Sequence, residues 1–161
     1  MHNVEVISIV KGTVYQTHKT IPLLPKSLSG FGGTQLPNGD LLLCGGWAQS
    51  GGRRISHHSE YLLYKRGSNK WTKVQNMTSE RYFHASVFID GYILTTGGLD
   101  SSRKPVSVHE QFSIEEGLKK KKELPIALKG HTATLFGPHK IIICGGMYEC
   151  GVSKPVFQIN E

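Results

Sequence analysis

The chain of 161 residues is long enough for one domain with its own core. It is 38% apolar and 19% charged, and no apolar run nears the roughly 20 residues of a membrane-crossing helix, so composition describes a soluble globular protein and excludes a helical span. A net charge of +7 suits an acidic partner but does not choose among peptide, nucleic acid and membrane.

The first residues show no basic segment followed by an apolar core and a cleavage site, which sets the expectation of a cytoplasmic protein. Three cysteines without a CxxC pair argue against a disulfide scaffold or a structural zinc site. In chain order, Val6–Gly12 reads as a strand with its turn, and His18–Leu23 as the strand that follows. Phe31–Leu36 is the next strand, and Pro37-Asn38-Gly39-Asp40 carries the Asn-Gly hairpin signal. Leu41-Leu42-Leu43-Cys44 is then apolar without interruption, too short for a helix, and closed by Gly45-Gly46. Such a run is a strand buried on both faces. Its glycines lack Cβ, so the backbone can kink there or lie close against a neighbour.

The same sentence is written again. Phe83–Phe88, Asp90-Gly91, Tyr92–Thr96 and Gly97-Gly98 follow in that order, and then His131–Phe136, Gly137-Pro138-His139, Ile141–Cys144 and Gly145-Gly146. The glycine pairs lie 52 and 48 residues apart, the spacing of a repeat architecture. Counting back from them aligns Leu36 with Phe88 and Phe136, Thr34 with Ser86 and Thr134, and Gly33 with Ala85 and Ala133. Forward of the pairs, Ser59–Gly67 aligns without gaps on His109–Gly117, and each leads through its glycine into a fourth strand, Lys70–Val74 or Lys119–Leu124. Val6–Gly12 aligns on Gln111–Gly117, and Phe157–Glu161 on Phe112–Glu116. Each unit is thus four antiparallel strands with no helix, and such sheets repeated radially make a β-propeller.

The glycine pair, the preceding Arg81 or Lys129, Tyr64 and the following Trp71 resemble the kelch repeat, over nearly the whole chain. Lys121 stands where the second unit should repeat Trp71, and Ser29 stands in the basic position of the first. The resemblance implies an all-β, kelch-type propeller: residues 1–25 as part of a blade, 26–77 and 78–125 as blades, and 126–161 as an incomplete blade. Propellers have about four to eight blades. Two chains closing a six-bladed ring as a homodimer is therefore expected, the alternative being a piece of a longer propeller.

The resemblance also implies that the loops after each second strand and between blades build one end of the ring and carry function. Here these are Trp47–His58, Leu99–Pro105 and Met147–Lys154, with Asn76–Arg81 and Pro125–Lys129. They hold Trp47, Arg53, Arg54, Arg81, Tyr82, Arg103, Lys104 and Tyr148, residue types that dominate binding hot spots, and arginine suits carboxylates. A protein-interaction module that captures an acidic peptide or protein is the leading expectation.

Enzymatic signals are missing: there is no GxSxG, HExxH or phosphate loop, and Gly45–Gly52 reads as a mobile connection. His57-His58 would point to opposite faces of a strand, so no metal or other cofactor is expected. Cys44 and Cys144 read as core residues on non-adjacent blades, too far apart to bridge, and Cys150 as the exposed one. Glu60 and Glu110 recur at one position, which favours a structural role. Trp71, Tyr64 and Tyr61 are read as packed between blades rather than as a nucleic-acid platform. Two other readings stand beside the interaction module: a small-molecule enzyme in which His57, His131 or Glu149 converge, and a half-propeller whose role is self-assembly.

Overall fold

A computed structural model describes residues 6–17, 21–50, 54–148, 151–152 and 156–160. The chain is all-β, 55% strand, without a helix among the described residues. In chain order the strands are β1 (Val6–Val10), β2 (Thr13–Thr17), β3 (Gly32–Gln35), β4 (Leu41–Cys44), β5 (Trp47–Ser50), β6 (Arg54–His57), β7 (Glu60–Tyr64) and β8 (Trp71–Asn76). The remainder are β9 (Ala85–Ile89), β10 (Tyr92–Thr96), β11 (Val108–Ser113), β12 (Gly117–Glu123), β13 (Lys129–Leu135), β14 (Lys140–Tyr148), β15 (Gly151–Val152) and β16 (Val156–Asn160).

Each repeat becomes an antiparallel sheet, β3-β4-β7-β8 for the first unit and β9-β10-β11-β12 for the second. The third consists of β13-β14-β16, with short β15 on the far end of β14. The sheets meet along their first strands, since β3 neighbours β9 and β9 neighbours β13. The second unit is therefore the middle of three sheets.

Why the second strands are apolar throughout is visible in the packing. Side chains alternate between faces along a strand. Ile93 of β10 joins a core with Leu42, Cys44, Tyr61, Leu63, Met77 and Phe112. Its neighbour Leu94 joins the other core, with Val87, Ile89, Leu128, Ile141 and Ile143. The middle sheet is thus sealed on both faces. The outer sheets are sealed on one: Leu42 and Ile143 are completely buried, while Leu41, Leu43, Ile142 and Cys144 on the reverse faces are half-buried. Tyr61 stacks on Phe112 across the first sheet junction, ring centroids 4.4 Å apart.

Three expectations are corrected by the structure. His18–Leu23 does not supply the second strand of the first segment. β2 occupies Thr13–Thr17 and forms a tight hairpin with β1 through Lys11-Gly12, both at positive φ, residues 18–20 lying outside the described ones. Gly45–Gly52, read as a mobile connection, carries a strand in its described part: β5 (Trp47–Ser50) pairs with β6 (Arg54–His57), residues 51–53 lying outside the described ones. And β14 runs straight through Gly145-Gly146 rather than stopping there.

The fourth correction concerns register. The second unit turns through two residues, Asp90-Gly91, between Ile89 and Tyr92. The first and third turn through three, since Gln35 pairs with Leu41 and Leu135 with Ile141, and Leu36 and Phe136 donate to the carbonyls of Asp40 and Lys140. Counting back across loops of unequal length slips the middle unit by one. The paired residues are Gly32–Cys44, Ala85–Thr96 and Thr132–Cys144. Gly33 is therefore equivalent to Ser86, not Ala85, and Thr34 to Val87, not Ser86.

Candidate functional site

With the register corrected, the residue two places before each first-strand position is Gly30, Phe83 and Gly130. All three have a left-handed backbone, φ +62°, +55° and +63°. They are joined: Phe83 N–H donates to the Gly30 carbonyl (2.8 Å), and Gly130 N–H to the Phe83 carbonyl (2.8 Å). The repeat demands a conformation that glycine adopts freely, at a site where an aromatic L-residue pays of order 1–2 kcal/mol. Only the middle unit puts a side chain there.

The glycine pairs dock the next unit onto the previous one. Gly46 N–H donates to the Arg81 carbonyl at 2.8 Å, and Gly98 N–H to the Leu128 carbonyl at 2.7 Å. A Cβ built on Gly45 would lie 2.5 Å from that Arg81 oxygen, and one on Gly97 2.5 Å from the Leu128 oxygen. This close approach is the physical reason for the repeated glycines.

Arg81 was expected on the loop face; it is instead buried, its side chain 1% exposed. Its Nη2 pairs with Glu110 Oε1 at 2.8 Å, and its Nη1 donates to the carbonyls of Val108 (2.9 Å) and Gly97 (3.3 Å). Glu110 also accepts from the Thr78 hydroxyl and, at 3.3 Å, from Thr78 N–H. In the first unit Lys26 takes the cationic role, 2.9 Å from Glu60. The recurrence of Glu60 and Glu110 is structural in this sense: each anchors a basic residue of the segment entering its own sheet.

Beside this pair lies a cysteine–histidine contact that the sequence did not disclose. Cys44 Sγ is 3.3 Å from His84 Nε2, which also accepts the Gly32 N–H at 3.1 Å. A nucleophilic pair needs a lowered thiol and a chargeable imidazole. Burial does the reverse here, raising Cys44 to about 11. Burial, aided by the Arg81 charge, lowers His84 to about 3. Both stay neutral, and the contact is a core hydrogen bond. His131 is likewise buried, 2.8 Å from the Thr96 hydroxyl, and Glu149, the third residue named for a small-molecule site, lies outside the described residues.

A different group of residues does converge, at the end of the sheets where the β5–β6 arm meets the linker into the second unit. Trp47, Ile55, His57, Tyr82, Phe83 and Arg103 line a pocket of about 180 Å³. Each is held by backbone pairing. Trp47 exchanges two 2.9 Å hydrogen bonds with Ser29, and Tyr82 exchanges two with Leu99, of 3.1 and 2.7 Å. The rings form a continuous wall: His57 stacks on Tyr82 (5.1 Å, 19°), and Phe83 tilts against Tyr82 (5.2 Å, 56°). Tyr82 is buried, whereas Ile55 and Phe83 are about half open to solvent, at 42% and 44%.

Arg103 is presented by a tight turn built on Asp100. The Asp100 carboxylate accepts from the Ser102 N–H (2.9 Å), the Ser102 hydroxyl (2.7 Å) and the Lys104 N–H (2.9 Å). Slight burial opposes its ionisation, but these donors hold the carboxyl below its ordinary range. The turn forces Arg103 to φ +65°.

Of the eight residues expected at a binding face, the pocket gathers Trp47, Tyr82 and Arg103. Lys104 is exposed on the Arg103 turn, outside the pocket lining. Tyr148, half-buried near the C-terminal end of β14, packs against the core between the second and third sheets and is not part of the described pocket lining. Arg54 closes the hairpin pairing with Ser50, and Arg53 lies outside the described residues. Ile55, His57 and Phe83 were not expected there as a binding group. Phe83 carries a legible signal, an aromatic residue where its repeats have glycine, but only after the loop lengths are allowed for. Among the described residues no three His, Cys, Asp or Glu side chains gather as metal ligands. No family model matches the sequence, and a search of curated proteins finds no relative.

Proposed function

We propose that the chain is part of a kelch-type β-propeller and acts as a protein-interaction module that docks an acidic peptide segment on the Trp47–Tyr82–Arg103 pocket. One observation carries the reading: three elements distant in sequence converge on an apolar, aromatic-walled pocket with a guanidinium at its rim. Aromatic and arginine side chains in a concave, partly dry setting are the composition of a binding hot spot. The excess of +7 gives an acidic partner a long-range attraction. The buried, neutral Cys44 and His84 speak against a cysteine-based enzyme. With this reading goes the proposal of a cytoplasmic interaction module that works without a cofactor.

The test is fluorescence polarisation with a labelled, capped heptapeptide holding a tryptophan between two pairs of glutamates. The native chain binds it, more weakly as salt rises. Combined R53A, R54A and R103A substitution weakens binding at least tenfold. Undiminished binding by that variant overturns the proposal.

A second reading, self-assembly, has its own observation. The β1–β2 hairpin pairs only with itself among the described residues and leaves Ile7, Ile9, Val10 and Val14 exposed. A second copy covering such a surface and completing a six-bladed ring would double the mass measured by light scattering. A monomeric mass at all concentrations removes this reading.

A further inference from the structure

The identity of residue 83 is a puzzle if the junction is merely structural. Its backbone torsion matches that of Gly30 and Gly130, and its N–H and carbonyl make the same kind of inter-unit hydrogen bonds. Glycine would satisfy every one of those demands without strain. What the phenylalanine adds is a ring, 44% exposed, projecting from the junction into the wall of the Trp47 pocket. On the junction side that ring lies over Gly30, where a Cβ would come within 2.9 Å of it. On the pocket side it meets Tyr82.

We propose that Phe83 determines the specificity of this pocket, by supplying the ring against which an aromatic side chain of the partner stacks while a carboxylate next to that side chain pairs with Arg103. This rests on the reading of the pocket as a peptide site and deepens it: the partner carries an aromatic anchor directly flanked by acidic residues. Size and charge both select that occupant. A cavity of roughly 150 Å³ takes a benzene ring, so about 180 Å³ takes one aromatic side chain and not two. Among the described lining residues Arg103 supplies a permanent positive charge, and its planar fork matches a carboxylate. Offset or tilted packing between rings is the geometry already present between Phe83 and Tyr82.

The decisive variant is Phe83→Gly, which installs the residue found at the equivalent sites and so relieves strain instead of creating it. Three labelled, capped heptapeptides serve as probes: tryptophan flanked by glutamates, alanine flanked by glutamates, and tryptophan flanked by lysines. The native chain binds the first at least tenfold more tightly than the other two. F83G melts at the native temperature or above it, and its affinity for the tryptophan–glutamate peptide falls to that of the alanine peptide. F83Y retains the native preference. A clear fall in the melting temperature of F83G assigns the ring to packing and overturns the inference. Equal affinities of F83G and the native chain for the first peptide overturn it as well, leaving the pocket as an acidic-peptide site. Failure of the native chain to bind either acidic peptide overturns both.

Discussion

Three side chains at the first sheet junction show how burial assigns roles that residue type alone would not. Arg81 and Glu110 are an ion pair with 1% and 0% of their side chains exposed. Removing one member strands the other charge in the core, which costs about 3–5 kcal/mol. Arg81→Ala should therefore lower the urea midpoint sharply, while Arg81→Met combined with Glu110→Leu should lower it less than either single change. His84 gives a pH signature. Folded, its pKa is lowered from 6.5 to about 3 by burial and by the Arg81 charge, so the unfolded chain takes up a proton there first as the solution is acidified. Its contribution is fully present above pH 6.5 and is lost as pH falls toward 3. His131 is shifted in the same direction, also by burial. Urea midpoints should thus hold level between neutrality and about pH 9, where the raised Cys44 thiol begins to favour the unfolded chain, and decline below pH 6.5. His84→Gln should flatten the upper part of the acid decline. An unchanged profile in H84Q would rule out the assignment.

At the level of strands and turns, much was written plainly in the residues. The uninterrupted apolar runs announced strands with no face for solvent, and with it the stacking of sheets. That holds on both faces only for Tyr92–Thr96 of the middle sheet. Leu41–Cys44 and Ile141–Cys144 bury one face and leave the reverse half-buried, because each outer sheet has a neighbour on one side only among the described residues. The slip of the middle unit had an equally simple cause. Alignment from the glycine pairs assumes equal hairpins, but Asp90-Gly91 is a residue shorter than Pro37-Asn38-Gly39. That single residue hid the equivalence of Phe83 with Gly30 and with it the ring that Phe83 adds to the pocket wall. The β5–β6 arm was hidden differently: the glycine-rich sequence Gly45–Gly52 reads as slack, while Trp47–Ser50 and Arg54–His57 alternate only weakly between apolar and polar. Arg81 was misplaced because a basic residue in a linker normally snorkels to water, and nothing local announces a buried Glu110 partner 29 residues away. The glycines themselves allow a graded test. Gly67→Ala at φ +84°, with nothing within 4 Å, should cost only the left-handed strain of about 1 kcal/mol. Gly45→Ala, with the Arg81 oxygen 2.5 Å from the new methyl carbon, should cost clearly more. Equal melting temperatures for the two variants would contradict the docking role.

At the scale of the whole molecule, the head-to-tail bonds from Gly30 to Phe83 to Gly130 tie three sheets together beside their first strands, using main-chain groups alone. The units cannot then come apart independently at the centre, since freeing one amide leaves the next carbonyl stranded. Amides in a shared cooperative element exchange with solvent only through a common opening. The amide protons of Phe83 and Gly130 should accordingly exchange with deuterium at one matched, slow rate, and denaturant should accelerate both in parallel. A chain built of nearly repeating modules would in that respect melt as a single hub.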